Sequence, residues 1–363
     1  MTSAHHSHRH VFLGWALVLA ASALLLTLGF ALWNRFKIPN VALPPRPPLR
    51  LSIDIWPGNF WVIVADKMGY FKEEGLPVEL VDISADYLQS LDDLSLGNRV
   101  DAGLMTPFDL MHQNLKPEAH LIGVMVSDSS VSAEGIVAKP ENHTLLDLVG
   151  KRVGVEHDSY LDFYLNVLLK SAGLSKEDIT VVDIDTDTLV DSFGALNLDA
   201  AMAWEPILGQ VRDRYAATTL FTADQIKGLS WSIWAMKRSF LDSRPEDVVR
   251  MLKAWNKATQ LIKSHPAQAM ALVASVTFKS DPGHTFTVPE LIAMLKDDAL
   301  LDLSNNIKSF SFLSGPESVY GSLHYISRYL TYEKKISGIP PPDDLLDPRY
   351  LRSVFYDFDA PVN

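Results

Sequence analysis

From Leu49 onward the chain alternates between short apolar runs with strand spacing and amphipathic runs with helix spacing, and this alternation restricts the fold more than any other feature. Leu49 to Ile55 reads as a strand and Phe60 to Met68 as a helix stopped by Gly69. Val78 to Ile83, Ala102 to Met105 and Leu121 to Val126 follow as strands, with helices at Tyr87 to Leu96 and Pro107 to Gln113. After Glu134 a second round begins. Its strands are predicted at Gly135 to Ala138, Arg152 to Val155, Asp178 to Ile184, Ala200 to Ala203 and Thr218 to Phe221. Between them lie a short helix at Leu145 to Val149 and longer ones at Tyr160 to Ala172, Leu189 to Leu196 and Pro206 to Arg214. Strands that alternate with helices form parallel sheets covered on both faces, so two rounds predict two α/β lobes. From Pro245 the spacing is mainly helical, through Val248 to Ile262, Pro266 to Val276, Pro289 to Leu295 and Val319 to Tyr329.

The 363 residues, 47% of them apolar, suffice for two lobes after a short N-terminal segment is set aside. The chain has no Cys, which removes disulfides, thiolate metal sites, a Cys nucleophile and a lipid-modifiable Cys. Residues 1–48 hold Arg9, Arg35, Lys37 and Arg46 and no acidic residue, so the net charge of −12 belongs to a still more acidic body. Such a body repels nucleic acid and anionic lipid. Membrane attachment is instead expected from Val11 to Trp33, an uncharged run that as a helix reaches ~35 Å against a hydrocarbon core of ~30 Å. A cleaved signal ending near Gly29-Phe30-Ala31 is the competing reading, but the run is long for a signal core. Arg9 precedes the run while Arg35 and Lys37 follow it, so charge does not orient it. The expected organisation is a tail at 1–10, an anchor at 11–33, a Pro-rich spacer at 34–48, lobe 1 at 49–134 with 236–363, and lobe 2 at 135–235. The His-rich start reads as polar filler.

Two sheet-based lobes place a binding crevice outside the strand C-terminal ends. The loops that follow the strands are Trp56-Pro57-Gly58-Asn59-Phe60-Trp61, Thr106-Pro107-Phe108-Asp109, Ser127 to Ser132, Glu156-His157-Asp158-Ser159-Tyr160 and Trp204-Glu205-Pro206. At these residues the chain resembles the periplasmic binding proteins of the nitrate, sulfonate and taurine transport class, which includes thiamine-pyrimidine binders. The resemblance runs in order over roughly residues 49–350. It rests on the stretch from Ala65-Asp66-Lys67-Met68-Gly69-Tyr70-Phe71 to Leu76, on Gly97-Asn98-Arg99-Val100-Asp101-Ala102, on Gly150-Lys151-Arg152-Val153-Gly154-Val155, and on Leu198-Asp199-Ala200-Ala201-Met202-Ala203-Trp204-Glu205-Pro206. It implies a type II bilobal fold, crossings near Glu134 to Ala138 and Trp231 to Met236, and delivery of a small solute to an ABC permease with its ATPase. It also implies a body in the periplasm or outside the cell, while the single span at 11–33 that would hold it to a bacterial inner membrane is a departure from family members that are secreted or tethered through a lipidated Cys. A monomer is expected, with no nucleic acid, cofactor or metal.

With Glu134, the loops carry Asp109, Asp128, Glu156, Asp158 and Glu205 and no Lys or Arg. That disfavours an anion, although the helix start at Asp158 or Ser159 could hold one. Asp158 already supplies a negative charge there as an expected N-cap. Aromatic faces stack on heterocycles and stabilise cations at ~0.5 to 2 kcal/mol each. An amine-bearing or heteroaromatic solute is therefore expected, held by Trp56, Asn59, Phe60, Thr106, Asp128, Ser130, Asp158, Ser159, Trp204 and Glu205, with Trp61 equally well placed in the core. No catalytic residue is identifiable: His157 beside Asp158 lacks a nucleophile, and Gly150-Lys151-Arg152 lacks the rest of a phosphate loop. The chain reads as a binder and not an enzyme. A ligand sensor signalling to a membrane partner is the alternative that the anchor supports, and a small-molecule lyase on the same scaffold is the remoter one.

Overall fold

The computed structural model describes residues 46–357 apart from 85, 227, 280–283, 313–316 and 339. The tail at 1–10, the apolar run at 11–33 and most of the spacer at 34–48 lie outside these residues. Among the described ones, no helix is long and apolar enough to cross a membrane.

The strands are β1 (Leu49–Ile53), β2 (Val78–Asp82), β3 (Ala102–Met105), β4 (Leu121–Ser130), β5 (Glu134–Ala138), β6 (Arg152–Val155), β7 (Thr180–Asp183), β8 (Ala200–Trp204), β9 (Thr218–Thr222), β10 (Trp231–Lys237) and β11 (Asp298–Leu300). They form one sheet in the order β11-β4-β10-β3-β1-β2 and a second in the order β7-β6-β8-β5-β9. In each sheet the parallel strands are those of the βα rounds: β1 pairs with β2 and β3, and β6 with β7 and β8. The strands after each crossing, β5 and β10, run antiparallel to their neighbours. The chain re-enters the first sheet at Trp231, so residues 231–235 pair with β3 and β4 and do not continue the second sheet.

The helices that position the crevice are α1 (Phe60–Met68), α2 (Tyr87–Leu96), α3 (Pro107–Gln113), α4 (Tyr160–Ser171), α5 (Ile207–Tyr215), α6 (Pro245–Ser264), α7 (Val288–Asp297) and α8 (Val319–Tyr332). Their ends follow local chemistry. Gly69 closes α1 at φ 78°, a left-handed conformation in which a side chain is strained. Thr106 and Asp109 form a reciprocal capping box at α3, and the Ser159 hydroxyl accepts from the Leu161 and Asp162 amides at the start of α4. Such caps contribute about 1 kcal/mol each. The first lobe's core includes Trp234 and Trp255, both without exposed surface, and Trp61 lies edge-on to Trp234 at 4.8 Å.

One strand departs from its expected length. β4 continues to Ser130 and does not stop at Val126, although Ser127-Asp128-Ser129-Ser130 is polar. β10 pairs with it on one side, with Ser232 opposite Asp128, and β11 on the other, with Asp298 opposite Ser130. Ladder hydrogen bonds on both edges override side-chain preference, so residues expected in a loop are buried in a sheet.

Candidate functional site

The two crossings run side by side. The Ser130 amide donates to the Ser230 carbonyl at 3.0 Å, Ser230 donates its hydroxyl to Glu134, and Tyr164 donates to the Leu229 carbonyl at 2.8 Å. Around this hinge the lobes meet through apolar rings. Phe108 on α3 stacks on Phe163 of α4 at 5.3 Å, and Tyr329 on α8 lies 4.8 Å from the same ring.

At the mouth of the crevice, Tyr87 from the first lobe faces Tyr160 and Trp204 from the second, with centroids 6.3 and 6.4 Å away; Tyr160 and Trp204 stack at 6.0 Å. Trp204 and Tyr87 are partly exposed, as is Trp56. The Trp56 indole Nε1 donates to Asp128 Oδ2 at 2.6 Å and to Ser232 Oγ at 3.2 Å. Its backbone amide donates to Asp54 Oδ1 at 2.8 Å, and Asn59 donates to the same oxygen at 2.6 Å. Gly58 lies directly over Asp128, where a Cβ would stand 2.8 Å from Asp128 Oδ1 and 2.7 Å from Ser127 Oγ. Only glycine lets this loop approach so closely.

Acidic side chains gather beneath these rings. Asp109, Asp128, Glu134 and Asp298 are buried and Asp54 is partly so; among the described residues none of the five makes an ion pair with Lys, Arg or His. Burial is the leading cause of the shifts they show. It pushes Asp54 up to about 6 against the hydrogen bonds from Trp56 and Asn59. Glu134 is pushed up to about 7 against the Ser230 and Ser130 hydroxyls, with Asp128 and Asp109 adding repulsion. Asp109 is raised despite hydrogen bonds from Tyr87, at 2.6 Å, and Thr106. Asp298 is driven well above the carboxylate range by burial and then by the neighbouring Asp128. Tyr160, buried, and Tyr87, partly so, are raised by loss of water and then by neighbouring carboxylates, and keep their protons far above neutrality.

The expected site residues divide on this geometry. Trp56, Asp128, Ser130 and Trp204 belong to the crevice and hinge. Asn59 sits fully buried behind the Trp56 loop, and Thr106 serves the α3 cap while donating to Asp109. Phe60 is fully buried in the apolar core, because α1 begins there and turns its first residue inward. Asp158 is not the α4 N-cap: Ser159 takes that role, and Asp158, at φ 58°, instead pairs with Lys335 beyond α8. Lys335 also holds its carboxyl below the usual range. Glu205 is bound at 2.5 Å by Arg212 of α5 and at 2.9 Å by the Gly209 amide, a charge placed just ahead of the Pro206 cap at the amino end of that helix. The loops lack basic residues, but the fold brings these two in from elsewhere.

Four crevice residues were not singled out: Asp54, Tyr87, Tyr160 and Asp298. Tyr160 closes the loop after β6 and Asp54 follows β1, so both carry a positional signal. Tyr87 opens a helix and Asp298 lies in a three-residue edge strand, neither marked by local pattern. His157, Asp158 and Asp162 come close enough to suggest a metal. Lys335 on Asp158 and Lys176 on Asp162, the latter at 2.5 Å, already supply the positive charge. A groove of about 770 Å³ lies at the opposite end of β4, lined by Ile122, Arg238, Lys335 and Leu345.

The family profile described as NMT1/THI5 like matches residues 56–269, more than half of the chain. A Brucella abortus protein named as a binding protein is 24% identical over 314 residues, covering 84% of this chain and 92% of that one. The taurine-binding periplasmic protein of Escherichia coli is 23% identical over 203 residues, 54% of this chain and 61% of the relative. The crystal structure of the periplasmic aliphatic sulphonate binding protein SsuA from Escherichia coli superposes with a TM-score of 0.66 over 84% of this chain and 93% of its own, at 18% identity. The likeness establishes the two-lobed α/β periplasmic-binding-protein fold.

Proposed function

The chain belongs to the NMT1/THI5-like family, and on that premise we propose that it is an extracytoplasmic solute-binding protein that captures a small amine-bearing or heteroaromatic solute and delivers it to an ABC permease with its ATPase. One observation carries the reading: carboxylates that have no basic partner among the described residues converge beneath aromatic rings contributed by both lobes. A cation entering there gains the attraction that Lys or Arg would otherwise supply, and a planar ring can replace the contact between Tyr87 and the Tyr160–Trp204 platform. Rotation about the two crossings then couples capture to closure, with Trp56 and Tyr87 on one side and Tyr160 and Trp204 on the other. The run at 11–33 holds the protein, as a monomer, to the bacterial inner membrane, and 34–48 spaces the body from it.

A thermal-shift screen of amines, pyrimidines, sulfonates and inorganic anions tests the ligand class. Amines or pyrimidines are the expected hits. Stabilisation by sulfonate or nitrate alone would overturn the ligand class and leave solute binding in place. Conversion of a bound compound to product would overturn the binder reading itself. Protease protection of the body in intact cells, with a membrane-bound full-length chain, checks the anchor.

A further inference from the structure

The crevice reading leaves one pair of side chains unexplained. Asp298, 1% exposed on β11, has neither carboxylate oxygen hydrogen-bonded, and the charge that acts on it most strongly is Asp128, 0% exposed on β4. Asp128 is better provided for, with Trp56 Nε1 on Oδ2 and Ser127 Oγ at 3.2 Å from Oδ1. The register, Asp298 opposite Ser130 and Leu300 opposite Asp128, puts both carboxylates on one face of the β4–β11 ladder; Gly58 stands over Asp128, and the buried Oδ1 of Asn59, beside Gly58 in the same loop, also lacks a donor. Buried acceptors facing one another cannot both remain ionised without a proton or a cation between them.

The other groups acting on Asp298 add to the deficit. Glu134 at the hinge and Asp297 at the end of α7 are both acidic. β10 contributes the Ser232 hydroxyl, which takes the Trp56 indole, and β4 the Ser127 and Ser130 hydroxyls. A divalent metal is a poor match, since among the described residues the three-ligand cluster lies elsewhere, at His157, Asp158 and Asp162. Oxygen acceptors without donors call for an N–H-bearing cation.

We infer that Asp128 and Asp298 form an ammonium subsite at the floor of the crevice, holding one proton when empty and exchanging it for the cationic end of an organic amine. The inference rests on the reading that an amine-bearing solute enters this crevice. As the ammonium arrives, the proton on Asp298 leaves to solvent, and the ammonium donates to both carboxylates. Trp56, tied to Asp128, reports the exchange, so occupancy of the floor is felt by the loop that closes over it.

Two measurements on the full chain test the pair. Without added solute, thermal midpoints of wild type and Asp298→Asn are compared from pH 5 to pH 8. Wild type should lose several degrees relative to the variant as pH rises, because its native state alone must keep the proton; parallel profiles would overturn the inference. Methylammonium chloride is then compared with potassium chloride at equal ionic strength. Methylammonium should raise the wild-type midpoint more than potassium does, by a larger margin at pH 8 than at pH 5, and should not do so in Asp298→Asn. Equal responses in both proteins, or none at pH 8, would sink it. If the variant does not fold, proton release in weakly buffered wild type decides, with about one proton per methylammonium bound expected and none contradicting the exchange. A neutral heterocycle as the sole solute hit would uphold the crevice reading while a silent methylammonium titration ended this one. An anion as the sole hit, with methylammonium silent, would overturn both.

Discussion

The two walls of the crevice carry the same kind of residue in different electrical states. In the second lobe, Asp158 is matched by Lys335, Asp162 by Lys176 and Glu205 by Arg212, while Glu156, which follows β6, has the Thr186 hydroxyl. In the first lobe, Asp54, Asp109, Asp128 and Asp298 have hydrogen-bond donors or one another, and among the described residues no cation. The difference assigns the walls separate tasks. The second lobe presents a neutralised aromatic platform, Tyr160 on Trp204, while the first presents unbalanced negative charge under Trp56. A charged solute is thus attracted by one wall and covered by the other.

The largest expected effect on this contrast comes from Asp128. Replacing it with Asn keeps the size and the Trp56 contact but removes the charge. Affinity for an amine found in the screen should fall by about 2–5 kcal/mol, the range for breaking a buried charge pair. Unchanged affinity by calorimetry would place the attraction elsewhere. Next is the hinge. Glu134 stands near 4.5 in the unfolded chain and about 7 in the fold, so the native state binds the extra proton. Its contribution is present in full below about pH 4.5 and is lost as pH rises through 7, on the order of 3 kcal/mol. Thermal midpoints of wild type should fall across that window, and Glu134→Gln should flatten the fall; a variant that keeps the full slope would clear Glu134 of the role.

The platform should matter less than the charge. Trp204→Ala and Tyr160→Ala are each expected to weaken an amine by about 0.5 to 2 kcal/mol, with the pH profile unchanged. A loss exceeding that of Asp128→Asn would reverse the assignment of the walls. Lys335→Ala should have the smallest effect, at most about 1 kcal/mol on closure, because its pair with Asp158 is partly solvent-exposed. Small-angle scattering should show a modest shift toward open particles, and a large shift would make this pair the main latch.

The elements of the body were legible in the sequence because burial on both faces imposes strand and helix periods locally. Thus α1, α2 and α3 start and stop where Phe60, Tyr87 and Pro107 and their closing residues indicate. The resemblance in motif order also holds, through the family that the chain belongs to. Of the proposed crevice, Trp56, Asp128 and Trp204 were legible as candidates from their position after strands. Phe60 was not, since a residue at a loop–helix junction faces whichever side the first turn dictates. Asp298 was not, since a three-residue strand has no period to read and takes its place only by pairing with Ser130.

By itself, then, the amino-acid sequence determined two α/β rounds, an acidic body and the residue types available to the crevice, because these depend on local spacing and composition. Only the tertiary structure decided which acids remain unmatched. Charge neutralisation depends on distance in space: Lys335 and Arg212 reach Asp158 and Glu205 from other elements, while β11 carries Asp298 to the Asp128 strand with no base among the described residues to accompany it.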